Sequence, residues 1–192
     1  MEPQSDEHAL APTKSEIVVS QDDVSRPEVI TLLNAHIAAL QAINNRLNNQ
    51  LGLEIGHVLD LSALRRENIT MFTARNAISN EIMGCAALKQ LSTGHGELKS
   101  MRTAESHQRK GVAGALIKHL LDEAMTRGYR RLSLETGPWE EFEAARALYA
   151  KHGFVPCGPY EGYEDTTPDE LSVFMTYYLS QPNPTPKQEN SK

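Results

Sequence analysis

Glu97-Leu-Lys-Ser-Met-Arg-Thr103, a short connection, and then Gln108-Arg-Lys-Gly-Val-Ala-Gly114 form the stretch that decides how this chain folds. It reads as a strand that ends, a loop, and a helix whose first turn is built from small residues. A helix N-terminus presents four backbone N–H groups without intrahelical partners, at the positive end of the helix dipole. A pyrophosphate fits against them where side chains leave room, and Gly111, Ala113 and Gly114 leave it. Arg109 and Lys110 add cationic charge at the entrance. The same small residues would also suit a helix that simply packs tightly on a sheet, and the six-residue pattern alone does not separate the two readings. Two rival phosphate patterns are absent. No Gly-x-x-x-x-Gly-Lys followed by Ser or Thr occurs, and no Gly-x-Gly-x-x-Gly follows a first strand.

Working outward, the segment before this stretch has the alternation and turn residues of strands. Ile69–Ala74, Glu81–Leu88 and Glu97–Arg102 are expected to be strands, separated by turns at 76–80 and 92–96. Connections this short predict an antiparallel meander. Further upstream, Ile17-Val-Val is a short strand candidate. Pro27 opens a helix with Ile30, Leu33, Ile37, Leu40 and Ile43 at helical spacing. Residues 44–60 read as part loop and part short helix, and residues 61–66 as another helical turn. Downstream the period changes. Gly111 to Arg127 carries Val112, Leu116, Leu120 and Ala124 on one stripe, and Gly128 follows it. Arg131–Glu135 alternates as a strand. A second helix is expected from Trp139 to His152, with Gly153 after it. Strands follow from Phe154 and over Ser172–Leu179. Strand–helix–strand–helix–strand is a crossover pattern that predicts parallel pairs. The expected fold class is therefore α+β: one mixed, mostly antiparallel sheet with helices on both faces.

The segment 108–114 resembles motif A of the GNAT superfamily of N-acetyltransferases, written Gln/Arg-x-x-Gly-x-Gly/Ala. Ala147-Leu-Tyr-Ala-Lys-His-Gly-Phe154 is similar to the family's second motif, an aromatic-bearing helix that ends in Gly-Phe. Gly84-Cys-Ala-Ala-Leu-Lys, Gly96-Glu-Leu-Lys-Ser-Met-Arg-Thr and Leu132-Ser-Leu-Glu-Thr-Gly also resemble a bacterial and fungal subgroup of small GNAT proteins. The resemblance covers roughly residues 69–179.

What it implies is transfer of an acetyl group from acetyl-CoA to an amine, with the acceptor taken here to be the primary amine of a small molecule. A protein or peptide acceptor, or a non-catalytic CoA-binding sensor, are the alternatives. Such a transfer needs a neutral amine, although an alkyl ammonium has a pKa of ~10. It also needs stabilisation of the carbonyl oxygen and a proton for the leaving thiolate. The resemblance places the cofactor against Met101, Arg102, Thr103, Gln108, Arg109, Lys110, Gly111, Val112, Ala113 and Gly114, with backbone groups of Met101 and Thr103 pairing to the pantetheine arm. It makes Tyr149 the general acid, although Tyr149 also fits an apolar stripe with Phe142 and Ala145. It makes Glu97 the general base, with Glu135 a competing carboxylate; a strand-edge charge facing solvent is the other reading of Glu97. Where relatives carry an asparagine early in the following helix, this chain has Trp139-Glu-Glu-Phe. Substrate choice is expected to lie in residues 44–60 and 158–171. The second segment, with Tyr160, Glu161, Tyr163, Glu164 and Asp165, suits either a cationic amine or a solvated loop.

Composition narrows the partners. Lys plus Arg number 19 and Asp plus Glu 25, a net charge of −6, which disfavours a nucleic-acid binder. Cys85 and Cys157 have no metal-ligand spacing and are expected to be reduced thiols, with Cys85 a buried small hydrophobe. His57, His95, His107, His119 and His152 are scattered, so no metal site is expected. The run from Lys89 to Lys99 reads as a sparse solvated face. The acidic start lacks a signal-peptide core, and no segment reaches ~20 apolar residues, so a cytoplasmic protein that does not span the membrane is expected. Residues 1–14 and 181–192 read as disordered tails around one domain at 15–180. Family members are often homodimers, and nothing in this sequence decides the matter.

Overall fold

The computed structural model describes residues 16–51, 61–163 and 171–179. In chain order these form β1 (Ile17–Gln21), α1 (Pro27–Leu51), β2 (Ile69–Asn76), β3 (Ile82–Ser92), β4 (His95–Thr103), α2 (Val112–Thr126), β5 (Arg131–Thr136), α3 (Glu143–Lys151), β6 (Val155–Cys157) and β7 (Val173–Tyr178). Short 3-10 turns occupy Ala63–Arg65, Glu105–His107 and Glu140–Phe142. The strands make one sheet in the order β1-β2-β3-β4-β5-β7-β6. The first four form the expected antiparallel meander. β4 and β5 are parallel, joined through α2 as a crossover requires.

The second crossover departs from the expectation. β6 does not lie against β5, because β7 inserts between them and is antiparallel to both. β7 pairs with β5 over six residues, from Arg131↔Tyr178 to Thr136↔Val173, whereas three-residue β6 caps the outer edge. The longer ladder takes the inner position, and chain order alone carries no signal for that.

Helices cover both faces. Leu116, Ile117 and Leu120 of α2 are fully buried with Leu88, Leu98, Leu132 and Leu134, and Tyr149 of α3 joins the same cluster. α1 covers the opposite face through Val29, Leu32 and Leu33, against Met71, Cys85 and Ala87. That face of α1 differs from the expected stripe: Ile30, Ile37 and Ile43 are only half-buried, while Val29 is sealed. The helix also continues through the Asn-rich stretch to Leu51, because Leu47 is buried and outweighs the poor helix propensity of its neighbours. The third helix begins later than expected, with a 3-10 turn before Glu143. The two tail segments, His57, and the larger part of the expected substrate segments (52–60 and 164–170) lie outside the described residues.

Candidate active site

The site begins where two strands part. β4 pairs with β3 along its whole length, but with β5 only at His95↔Arg131, Gly96↔Leu132 and Glu97↔Ser133. Beyond Glu97 the strands diverge, so one backbone edge of β4 from Leu98 to Thr103 is left without a strand partner. An extended arm carrying amides can pair with such an edge. A bulge sits within this stretch. Cys85 faces Arg102 and Ala87 faces Lys99, so Ser100 and Met101 together oppose Ala86, and Ser100 takes a φ of 51°. Bulges bend a strand and re-aim its groups.

The strand leads into the turn at Glu105–His107 and then into α2. Arg109 has φ 62° and Gly111 has φ 87°, with an ordinary residue between them. This alternation turns successive N–H groups toward one concavity, a geometry that binds anions. No side chain caps the helix, and a Cβ at Gly111 would meet nothing within 4 Å, so the space beside Gly111 at the helix start is open. Gln108, Arg109, Lys110 and Gly111 are exposed, Val112 is buried, and Ala113 and Gly114 are half-buried. These residues suit a pyrophosphate. Two contacts seat the helix. Gly84 of β3 lies so close that a Cβ would come within 2.8 Å of both Arg102 O and Val112 Cγ1. His107 joins Glu81, at the β2–β3 turn, through an Nε2–Oε1 contact of 2.9 Å.

On the α1 face, Glu97 is fully buried. Its Oε1 accepts hydrogen bonds from Lys99 Nζ (2.9 Å), Tyr163 OH (2.7 Å) and Tyr160 OH (3.1 Å). Lys89 Nζ lies 3.5 Å from Oε2, which has no hydrogen-bond partner. Burial would raise this carboxyl; Lys99, Tyr163 and Lys89 overcome that and hold it below the usual carboxylate range. Burial and the Glu97 charge push Tyr160 and Tyr163 well above an ordinary phenol, so both remain neutral donors. Lys99 Nζ also donates to Tyr163 OH at 2.7 Å. Three sequence expectations are corrected here. Glu97 is not a strand-edge charge in solvent. The Lys89–Lys99 run is not a solvated face, because its lysines converge on Glu97. Tyr160 and Tyr163 are not solvated, because both are buried against Phe174, although Glu161 and Gly162 between them are exposed. Tyr160 and Tyr163 reach Glu97 from 63 and 66 residues away, where no local pattern reaches.

Next to this cluster, His95 is buried. Its ring nitrogens meet Ser133 Oγ and Glu161 Oε2, and Ser133 Oγ donates to Thr176 Oγ1 at 2.9 Å. Glu135, half-buried on the same face of β5, accepts from Ser172 Oγ at 2.6 Å. Arg46 of α1 pairs with Glu141 of the turn after β5.

Tyr149 lies across the sheet from Glu97. Its ring packs 5.8 Å from Phe154 within the core cluster that α2 covers. Burial pushes the phenol well above its ordinary value. Burial likewise pushes the Cys85 thiol up to about 12, which removes it as a nucleophile at neutral pH. The Trp139-Glu-Glu-Phe segment forms a turn whose carbonyl of Trp139, with that of Gly137, accepts from Arg146 Nη1. Among the described residues no group of three His, Cys, Asp or Glu side chains could hold a metal, and no helix is long and apolar enough to cross a membrane.

Comparison with known proteins now bears on this geometry. The model of the acetyltransferase (GNAT) family matches residues 40–154. The chain is 44% identical over 158 residues to YsnE of Bacillus subtilis, an uncharacterised N-acetyltransferase, covering 82% of this chain and 97% of the relative. It is 33% identical to an IAA acetyltransferase of Azospirillum brasilense, over 75% of this chain and 90% of that one. The crystal structure of a GNAT family acetyltransferase from Elizabethkingia anophelis with acetyl-CoA bound superposes with a TM-score of 0.57 at 21% identity, covering 85% of this chain and 98% of that one, which bears on the fold. A parted β4–β5 pair, an uncapped small-residue helix start and these likenesses agree: the chain belongs to the GNAT family of acetyltransferases.

Proposed function

We propose that this enzyme transfers the acetyl group of acetyl-CoA to the primary amine of a small molecule by direct attack within a ternary complex. The observation that carries the reading is the parting of β4 from β5 beside an open, uncapped α2. The concavity at Arg109–Gly114 takes the pyrophosphate, Gln108 and Lys110 line its entrance, and the free edge at Met101, Arg102 and Thr103 takes the pantetheine amides. A backbone N–H near Met101 polarises the thioester carbonyl, and the bulge at Ser100 aims it. Holding both reactants in this cleft lowers the entropic part of the barrier.

The amine nitrogen attacks the thioester carbon, the C–S bond breaks, and the nitrogen loses a proton. Tyr149 stands as the acid of the site. Its raised pKa makes it a hydrogen-bond donor to the departing sulfur more than a source of a fully transferred proton. Glu97 stands as the proton acceptor, with Oε2 the lone pair left over; its burial means that a proton reaches it only through a bridging group. Glu135 remains the competing carboxylate.

Initial rates at varied acetyl-CoA and amine test the order of events. Intersecting double-reciprocal lines are expected for direct attack, and parallel lines would contradict it by requiring an acetylated enzyme.

A further inference from the structure

Arg102 is oddly placed for a residue with so little to pair with. Its partner across the ladder, Cys85, belongs to the core cluster under α1, as does Ala87, the partner of Lys99. The bulge at Ser100–Met101 thus puts Lys99 and Arg102, three apart in sequence, on one face of β4. The Arg102 side chain is 22% exposed, and its Nε is buried without a hydrogen-bond partner among the described residues. Its carboxylate contact is Glu105 Oε1 at 3.5 Å, on a side chain 85% exposed and so screened by water. His36 of α1 lies within electrostatic reach of it, and burial and the Arg102 charge push its pKa down to about 4. His36 is therefore neutral and offers no counter-charge. Next along the face, Lys99 uses two of its three N–H groups on Glu97 and Tyr163. Lys89, Lys99 and Arg102 thus share one face of β3 and β4 with a single buried carboxylate among the described residues, Glu97. Across the parted strands, the same face of β5 carries Glu135.

We propose that the acceptor is an amino acid, a molecule carrying a carboxylate beside its amine, whose carboxylate is taken by the Arg102 guanidinium while Glu135 faces its amine. This rests on the acetyl-transfer reading above and names the substrate class of that site. A guanidinium offers a planar pair of donors matched to a carboxylate. A half-buried, under-partnered one favours an anion that supplies the missing bonds. Opposite charges on the two lips of the cleft orient a zwitterion and disfavour a polyamine, which would set ammonium groups against Lys99 and Arg102.

The test is thiol release from acetyl-CoA with three matched sets of acceptors: the free L-amino acids, their carboxamides, and the amines formed by removing the carboxyl group. The full chain is used, as wild type, Arg102→Gln and Arg102→Lys. The expected result is that at least one amino acid is preferred over its amide and its amine in kcat/KM. Arg102→Gln should reduce that preference by roughly 30-fold, and Arg102→Lys should restore part of it. Equal use of acid, amide and amine by the wild type, or an unchanged preference in Arg102→Gln, overturns the inference and leaves acetyl transfer standing. Transfer to a peptide with none to any member of the three sets overturns the small-molecule reading and this inference together. The wild-type comparison decides the matter even if a variant fails to fold.

Discussion

A phenol packed against Phe154 with its pKa raised by burial keeps its proton across the neutral range, so Tyr149 can stabilise a thiolate without ionising. Tyr149→Phe is expected to lower kcat by ~10²-fold or more with little change in acetyl-CoA affinity. Steady-state kinetics beside calorimetry check this, and an unchanged kcat would return Tyr149 to packing alone. Glu97 is bound into its surroundings by Lys99, Tyr160 and Tyr163. Glu97→Gln keeps the shape but leaves two lysines without their counter-charge, and a loss of about 1–3 kcal/mol is expected in denaturant melts. The sign of the pH effect follows from the lowered pKa. The wild-type carboxylate contributes stability above its unfolded value of ~4.3, and that contribution is lost as pH falls through the lower folded value. Glu97→Gln should therefore flatten the acid side of the stability curve; an identical acid dependence would show that Glu97 is not the group titrating. Sequence reading singled out Glu97 and Tyr149 as candidates through their places in motifs that resemble those of the family. It missed Lys99, Tyr160 and Tyr163 because their value lies in convergence across the sheet, which no spacing records.

The elements that make the cleft were more legible than the side chains in it. The meander, the small-residue start of α2 and the crossover into β5 all follow from period and turn residues. The insertion of β7 between β5 and β6, and the depth of Val29 rather than Ile30, were not legible, because competing ladders and packing faces differ only in tertiary contacts. α2 is held by burial: Leu120 is fully enclosed against the sheet. Leu120→Ala should cost about 3 kcal/mol, read by thermal or chemical melts. A cost under 1 kcal/mol would mean that α2 is not seated as described. Gly84 is the tighter constraint, since any Cβ there meets a backbone oxygen as well as Val112.

At the scale of the molecule, one sheet parts between two helices, and the proposed function brings a cofactor arm and an amine together in that gap. With Glu97 held below the carboxylate range, activity should show no acid limb from this group between pH 6 and 8. kcat/KM should instead rise with pH as the acceptor amine loses its proton toward ~10. The pyrophosphate concavity is the central claim, and Ala113→Glu isolates it. A glutamate in the first turn of a helix is favourable to the dipole, so this variant should melt at or above the wild-type temperature. On the proposed reading, its carboxylate repels the pyrophosphate bound at this helix start. Calorimetric titration of CoA into both proteins is the decisive measurement. The account predicts clear binding to the wild type and a loss of at least ~100-fold in the folded variant. Equal affinity in the two proteins, or no binding to the wild type, would contradict it.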